Sequence, residues 1–179
     1  MLKHRMSLLV LATFLSAFLL GLWMAHFIGP AVENAGSPAI SCRFRGDEGN
    51  LDVKLEVLDV IRGREANEDV ARASPFNEGP PAGYEYLLVR IKVTLLDGRG
   101  NFSLNPLFFR AEFDGEAAGV KLMVYPRDKP LLRAHELSPG ESESGWLAFV
   151  VRRGSEVKLQ LRPLLPEPEG KCLLNLGNE

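Results

Sequence analysis

The chain has 179 residues, and its 21 Lys and Arg residues face 23 Asp and Glu residues, for a formal net charge of −2 at pH 7. Both signs are scattered along the chain, so the charge balance gives no indication of a nucleic-acid partner. The 137 residues beyond residue 42 are within the ordinary size of one domain.

The first thirty residues are the most informative part of the sequence. Lys3 and Arg5 precede an apolar run, 6–28, that contains no Asp, Glu, Lys or Arg. As a helix this run would extend roughly 34 Å, enough to span a bilayer. Because the next basic residue is Arg43, the positive-inside rule predicts residues 1–5 in the cytoplasm and the C-terminal domain outside it. We therefore predict a signal-anchor helix in the cell membrane; removal as a signal peptide is the alternative, which the length of the run disfavours.

Small side chains recur every four residues along this predicted membrane helix, at Thr13, Ala17, Gly21 and Ala25. In lipid, such a row permits close approach of another helix. It predicts a packing face for a membrane partner. The alternative is a chance alignment of residues that are common in spanning helices.

Residues 29–50 contain scattered glycines and prolines with little periodicity, which predicts a linker. The domain is then predicted over 51–179. Cys42 and Cys172 are the only cysteines of the chain and flank most of it. An even pair of cysteines outside the cytoplasm predicts a disulfide, with two free thiols as the alternative.

The first half of the domain shows the period-two pattern of β-strands. Apolar residues alternate over 51–57, and the pattern slips over 58–61 as at a bulge. A longer strand is predicted over 85–96, because Leu87, Val89 and every second residue after them share one face.

The second half continues with shorter strands. A strand over 107–113 ends in Asp114-Gly115, which is a strong signal for a tight hairpin turn, and 120–124 is its predicted partner. The segment 146–151 is apolar on both faces, which predicts a central strand. The last two predicted strands are 157–161 and 172–176.

One short helix is predicted over 67–73, with Asn67 as its N-cap and Glu68 and Asp69 in its first turn. It lies in a long connection, 63–84. Connections longer than about 12–15 residues are often functional or disordered, so this loop is a candidate functional segment with disorder as the alternative.

About seven short strands between Gly- and Pro-rich turns favour an antiparallel β-sandwich. Three segments, 77–89, 137–141 and 145–151, resemble a family of secreted and membrane-anchored prokaryotic domains that is described as telokin-like and has no known function. The resemblance implies an immunoglobulin-like fold and an extracytoplasmic setting, and it brings no catalytic residues.

The predicted fold is therefore all-β: an immunoglobulin-like antiparallel β-sandwich of about seven strands, preceded by one N-terminal transmembrane helix. Its predicted core includes Leu87, Val89, Ile91, Trp146 and Phe149.

Residues that could carry chemistry are few. His135 is the only histidine beyond the membrane segment, so a catalytic triad or a His-rich metal site has nothing further to use. Ser155 and Lys158 match S-x-x-K, but the S-D-N and K-T-G motifs that accompany it are missing. Four residues with oxygen ligands lie together in a spacing that fits no calcium loop: Asp47, Glu48, Asn50 and Asp52.

We therefore expect a membrane-anchored, extracytoplasmic, immunoglobulin-like binding or interaction module without catalytic activity, with a protein partner and no nucleic acid, metal or cofactor. The alternative is an accessory single-pass subunit of a larger membrane protein complex, for which the small-residue row is the motivating observation.

Overall fold

The computed structural model describes residues 37–46, 48–124, 126–163, 167–168 and 172–177. The predicted membrane helix and its packing row at Thr13, Ala17, Gly21 and Ala25 lie outside these residues. Within the described residues, no helix is long and apolar enough to cross a membrane.

The described residues form eleven strands and one α-helix, more strands than the seven expected, because several have only two to four residues. A short 3₁₀ turn, Pro106–Phe108, precedes the fifth strand. In chain order the elements are β1 (Ala39–Gly46), β2 (Gly49–Arg62), α1 (Gly63–Ala73), β3 (Tyr84–Gly98), β4 (Phe102–Leu104), β5 (Phe109–Phe113), β6 (Glu116–Gly119), β7 (His135–Leu137), β8 (Ser142–Arg152), β9 (Lys158–Leu161), β10 (Glu167–Pro168) and β11 (Leu173–Asn175).

The strands form a β-sandwich of two antiparallel sheets. One sheet has the order β10-β1-β2-β3-β8 and the other β11-β9-β5-β6, with β4 and β7 as a small separate ribbon. The inner faces of both sheets bury one main core, in which Phe44, Phe109 and Phe149 are fully inaccessible. The expected all-β sandwich is therefore the observed architecture.

A second, smaller core lies on the outer face of β3 and β8, where Ala66 and Val70 of α1 cover the sheet. Trp146 belongs to this second core, whereas the prediction placed it in the main core together with Leu87, Val89, Ile91 and Phe149. Trp146 is nevertheless buried, with 6% of its surface exposed.

The predicted disulfide is present. Cys42 in β1 is bonded to Cys172, just before β11, with a Cα–Cα distance of 5.5 Å. Since β1 and β11 belong to different sheets, the bond ties the two layers of the sandwich together.

Strand β1 lies inside the segment that was predicted to be a linker. It pairs with β2 along its whole length, with Cys42 opposite Val53. Its buried Cys42 and Phe44 alternate with exposed neighbours. This short alternation is a strand pattern, but the surrounding glycines and prolines obscure it.

The predicted hairpin forms, but its second strand is shorter and earlier than expected. Asp114 and Gly115 both have positive φ, at 48° and 79°, as a two-residue hairpin turn requires. This turn sets Phe113 opposite Glu116, and the pairing ends with Arg110 opposite Gly119, one residue after β5 begins. Residues 120–124 therefore have no partner in β5, and the strand predicted there is wrong.

Strand β8 is the last strand of its sheet, so its predicted central position is wrong. Its apolar character on both faces has another cause: one face meets the main core and the other meets the second core. Its outer edge is covered by a loop, because Trp146 N donates to Pro130 O at 2.9 Å and Leu132 N donates to Trp146 O at 2.9 Å.

Of two further local predictions, one is confirmed and one is confirmed in part. The bulge predicted after Val57 is present, since the pairing of β2 with β3 shifts between Val57 and Asp59. The helix exists but begins at Gly63, so Asn67 is not its N-cap. Instead, Asn67 Oδ1 accepts a hydrogen bond from Tyr86 N at 2.8 Å and fastens α1 to β3.

Candidate functional site

Among the described residues, six large apolar side chains remain exposed, and three of them, including the two most exposed, lie close together on the surface. Phe76 is 91% exposed, Met123 is 79% exposed and Leu122 is 46% exposed. All three line a single groove, which we call the Phe76 groove. Clustered exposed apolar groups of this kind mark interaction sites more often than scattered ones do.

The Phe76 groove has a volume of about 610 Å³, within the usual range for binding sites. One wall is the segment 76–81 from the long connection after α1, and the other is the segment 120–124 after β6. Tyr86 and Val150 form the floor; they are directly opposite each other on β3 and β8.

Hydrogen bonds hold the first wall in place. Asn77 Nδ2 donates to Val70 O at 2.7 Å, and the Tyr86 hydroxyl donates to Glu78 O at 2.7 Å. Phe76 N donates to Ser74 Oγ at 3.2 Å. The Phe76 ring is therefore exposed on a backbone that is fixed on both sides of it.

The second wall is anchored to the sheet in a similar way. Lys121 N donates to Ala148 O of β8 at 2.8 Å, and Val124 N donates to Lys121 O at 3.2 Å. Val124 is buried in the second core, so Leu122 and Met123 lie in a short turn whose two ends are held.

Each wall carries one charge. Glu78 belongs to the first wall and Lys121 to the second, and both are exposed. Within the described residues neither side chain forms an ion pair. The groove therefore combines an apolar rim with two opposite charges that remain available.

The floor residue Tyr86 has a perturbed acidity. Burial raises the pKa of its hydroxyl above the ordinary value of 10.0, and the nearby Glu78 carboxylate raises it further. Both effects disfavour the phenolate in the folded protein.

Replacing Tyr86 with Phe tests whether its hydroxyl, which donates to Glu78 O, helps to hold the first wall in place. Because the folded-state pKa is raised, the contribution of Tyr86 to the free energy of unfolding is fully present below pH 10.0 and is lost as the pH rises through the folded pKa. We expect Tyr86→Phe to be about 1 kcal/mol less stable at neutral pH, because the bond to Glu78 O is lost. Above pH 10.0 the difference in free energy of unfolding between Tyr86→Phe and the wild type should become smaller, as denaturant titrations would show. A difference that stays constant across this pH range would contradict a raised pKa for Tyr86.

The residues singled out for chemistry do not come together. His135 is exposed on β7, and Ser155 is buried, with its Oγ donating to Arg152 O at 2.7 Å. Lys158 lies exposed on β9, so the S-x-x-K spacing gives no activated serine.

The oxygen ligands considered for calcium do not form a site either. Asp52 is paired with Arg43, whose Nε lies 2.7 Å from Asp52 Oδ1, and Asp47 lies outside the described residues. Across the described ranges, no group of three or more His, Cys, Asp or Glu residues could hold a metal ion.

A second groove, of about 570 Å³, lies beside the end of β2. The basic residue in it is Arg62, whose Nε donates to the buried carboxylate of Glu85 at 2.8 Å and whose Nη1 donates to Ser155 O at 3.0 Å. Through these two hydrogen bonds the Arg62 side chain holds the start of α1 in place. The Arg62 guanidinium is therefore engaged by groups of the protein itself, and no aromatic side chain lines this second groove among the described residues.

Sequence reasoning identified half of the Phe76 groove. The long connection 63–84 was singled out by its length, and it supplies the first wall. The second wall was missed because 120–124 was predicted to be a strand. The signal that was available is Phe76 itself, an aromatic residue one position after Pro75 in an otherwise polar turn.

Several solved structures are similar to this chain, and two of them are informative about its fold. A protein from Bacillus subtilis, ycdA, described as a candidate lipoprotein, matches 80% of this chain with a TM-score of 0.58 and 15% identity, and the match covers 39% of that protein. MPT63, a secreted protein from Mycobacterium tuberculosis, matches 72% of this chain with a TM-score of 0.50 and 15% identity, and the match covers 88% of it.

No protein-family model matches the chain. No curated protein matches it in sequence. The resemblance to the telokin-like family is therefore not confirmed. At 15% identity the two neighbours show the fold alone, and the chain shares a β-rich fold with a secreted protein and a candidate lipoprotein.

Proposed function

We propose that the protein is a non-catalytic interaction module that works outside the cytoplasm and binds a protein partner in the Phe76 groove. The observation that carries the proposal is the Phe76 ring, which is 91% exposed although the backbone around it is held by hydrogen bonds.

The energetics favour binding at this position. Burying a Phe side chain that was exposed stabilises an association by about 1.5–3 kcal/mol, and aromatic residues are enriched among the few that dominate binding energy. Because both walls of the groove are already fixed, a partner has little loop-ordering entropy to overcome.

Three observations support a location outside the cytoplasm. The chain contains a disulfide, which persists in oxidising compartments. Its apolar run, 6–28, follows basic residues and has the length of a membrane span. The two structural neighbours are described as a secreted protein and a candidate lipoprotein. We accordingly propose an N-terminal membrane anchor and an immunoglobulin-like type of sandwich, as the telokin-like resemblance implies.

Site-specific photocrosslinking tests the proposal in cells that make the full chain. With p-benzoylphenylalanine at position 76, we expect a covalent adduct with a protein partner after irradiation. The matched control is position 107, because Leu107 is also exposed, at 58%, and lies away from the groove. No adduct above the level at position 107 would overturn the proposal.

The same preparation tests the anchor. After an alkaline wash of the membranes, the full chain should remain in the pellet with its N-terminal segment intact. Release into the wash, or a mature N-terminus beyond residue 28, would overturn the anchor and leave a secreted module.

The accessory-subunit alternative rests on the row Thr13, Ala17, Gly21 and Ala25 in the predicted membrane helix. It differs from the proposal in where the contact lies. If Gly21→Leu abolishes association and Phe76→Ser does not, the accessory-subunit function is favoured.

A further inference from the structure

We infer that the partner in the Phe76 groove is a second copy of this chain, so that the groove is one half of a two-fold symmetric interface. The inference rests on the proposed function, since it identifies the partner of the same site.

The first argument is the arrangement of apolar groups. In a two-fold interface the same patch is used by both copies, so each contact between a group of one copy and a different group of the other copy occurs twice. The Phe76 groove carries an exposed aromatic ring on its first wall and exposed Met123 on its second. A two-fold rotation brings these two groups together twice.

The second argument is charge complementarity. Glu78 shares the first wall with Phe76, and Lys121 shares the second wall with Met123. The rotation that brings Phe76 to the second wall of the other copy also brings Glu78 toward Lys121, again twice. Both residues are exposed, and within the described residues neither has an ion-pair partner of its own.

An unrelated partner explains these features less directly. An unrelated partner would need only groups that match the groove. Nothing would require each wall to carry both an apolar group and a charge opposite to the charge of the other wall. An apolar group and a charge on each wall, with the two charges opposite in sign, form a patch that can pair with a copy of itself.

Charge reversal on the full chain in mild detergent tests the inference, with molar mass measured by analytical ultracentrifugation. Glu78→Lys or Lys121→Glu places like charges together at two symmetric contacts, so each should raise the dimer dissociation constant about tenfold or more. The double variant restores opposite charges with the walls exchanged and should return the dissociation constant to within about threefold of the wild type. Glu136→Lys is the control, since Glu136 is exposed on β7 and away from the groove.

The outcomes separate the two proposals. A photocrosslinked adduct made of two copies, together with rescue by the double variant, supports the inference. An adduct between position 76 and a different protein overturns the inference and leaves the proposed function standing. A dimer that resists both charge reversals but is lost in Gly21→Leu also overturns it, because the contact then lies in the membrane segment. Absence of any adduct overturns both.

Discussion

Replacing Cys42 and Cys172 together with serine is expected to lower the free energy of unfolding by about 5 kcal/mol. The bond closes a loop with a sequence separation of 130 residues, and in the chain-entropy model a loop of this size restricts the unfolded chain by about that amount. Both positions are buried, at 8% and 3% exposure, so the serine hydroxyls would also be placed in an apolar environment. Denaturant titration followed by tryptophan fluorescence measures the loss.

The control is the wild-type protein with the disulfide fully reduced, which should lose a similar free energy without any change of residue. Since typical domains are stable by only about 5–15 kcal/mol, either form should unfold at a much lower denaturant concentration. A loss below about 1 kcal/mol in both would contradict the view that the bond holds the two sheets together.

Gly145→Ala is expected to lower the free energy of unfolding by about 3 kcal/mol. A Cβ at this position would lie 2.4 Å from both the Cα and the N of Leu132, which is closer than atoms approach. The loop at 130–132 would have to move away from β8 and weaken the two hydrogen bonds that Trp146 makes with it. The displaced loop would leave the Trp146 indole more exposed to water, so its fluorescence emission should also shift to longer wavelength.

The matched control is Gly119→Ala, at the end of β6. A Cβ there meets nothing within 4 Å, so the change should alter stability by no more than about 0.5 kcal/mol. Equal effects of the two substitutions would show that loss of backbone freedom, and not the approach of the loop, explains the requirement for glycine at 145.

The strands can be predicted well from the sequence where one face of the sheet is exposed to solvent. In β2 and the second half of β3, buried and accessible residues alternate, so the period-two pattern is visible. At the start of β3, Tyr86 and Leu88 are buried on the face opposite Leu87, because α1 covers it. Such strands lose the alternation, and the covering element cannot be inferred from local pattern.

Turns are predictable to the extent that they are local. Asp114-Gly115 specifies its hairpin turn from two residues alone. The length of β6 depends on where β5 begins, which the 3₁₀ turn at Pro106–Phe108 decides. The candidate site shows the same limit: length singles out the connection 63–84, but the groove exists only because 120–124 is hydrogen-bonded to β8 across the fold.

The loop over the outer edge of β8 also closes one route by which copies of the protein could associate. An uncovered edge strand can recruit a strand from another molecule, and each addition presents a new edge, so growth has no end. Here Lys121, Pro130 and Leu132 take up backbone groups of β8 that would otherwise be offered to a neighbour. In the proposed two-fold dimer, by contrast, the patch of each copy is buried against the other, so no patch remains exposed to bind a third copy. If the proposed anchor and two-fold patch hold, the covered edge of β8 should favour pairs over fibres when many copies are crowded on one membrane.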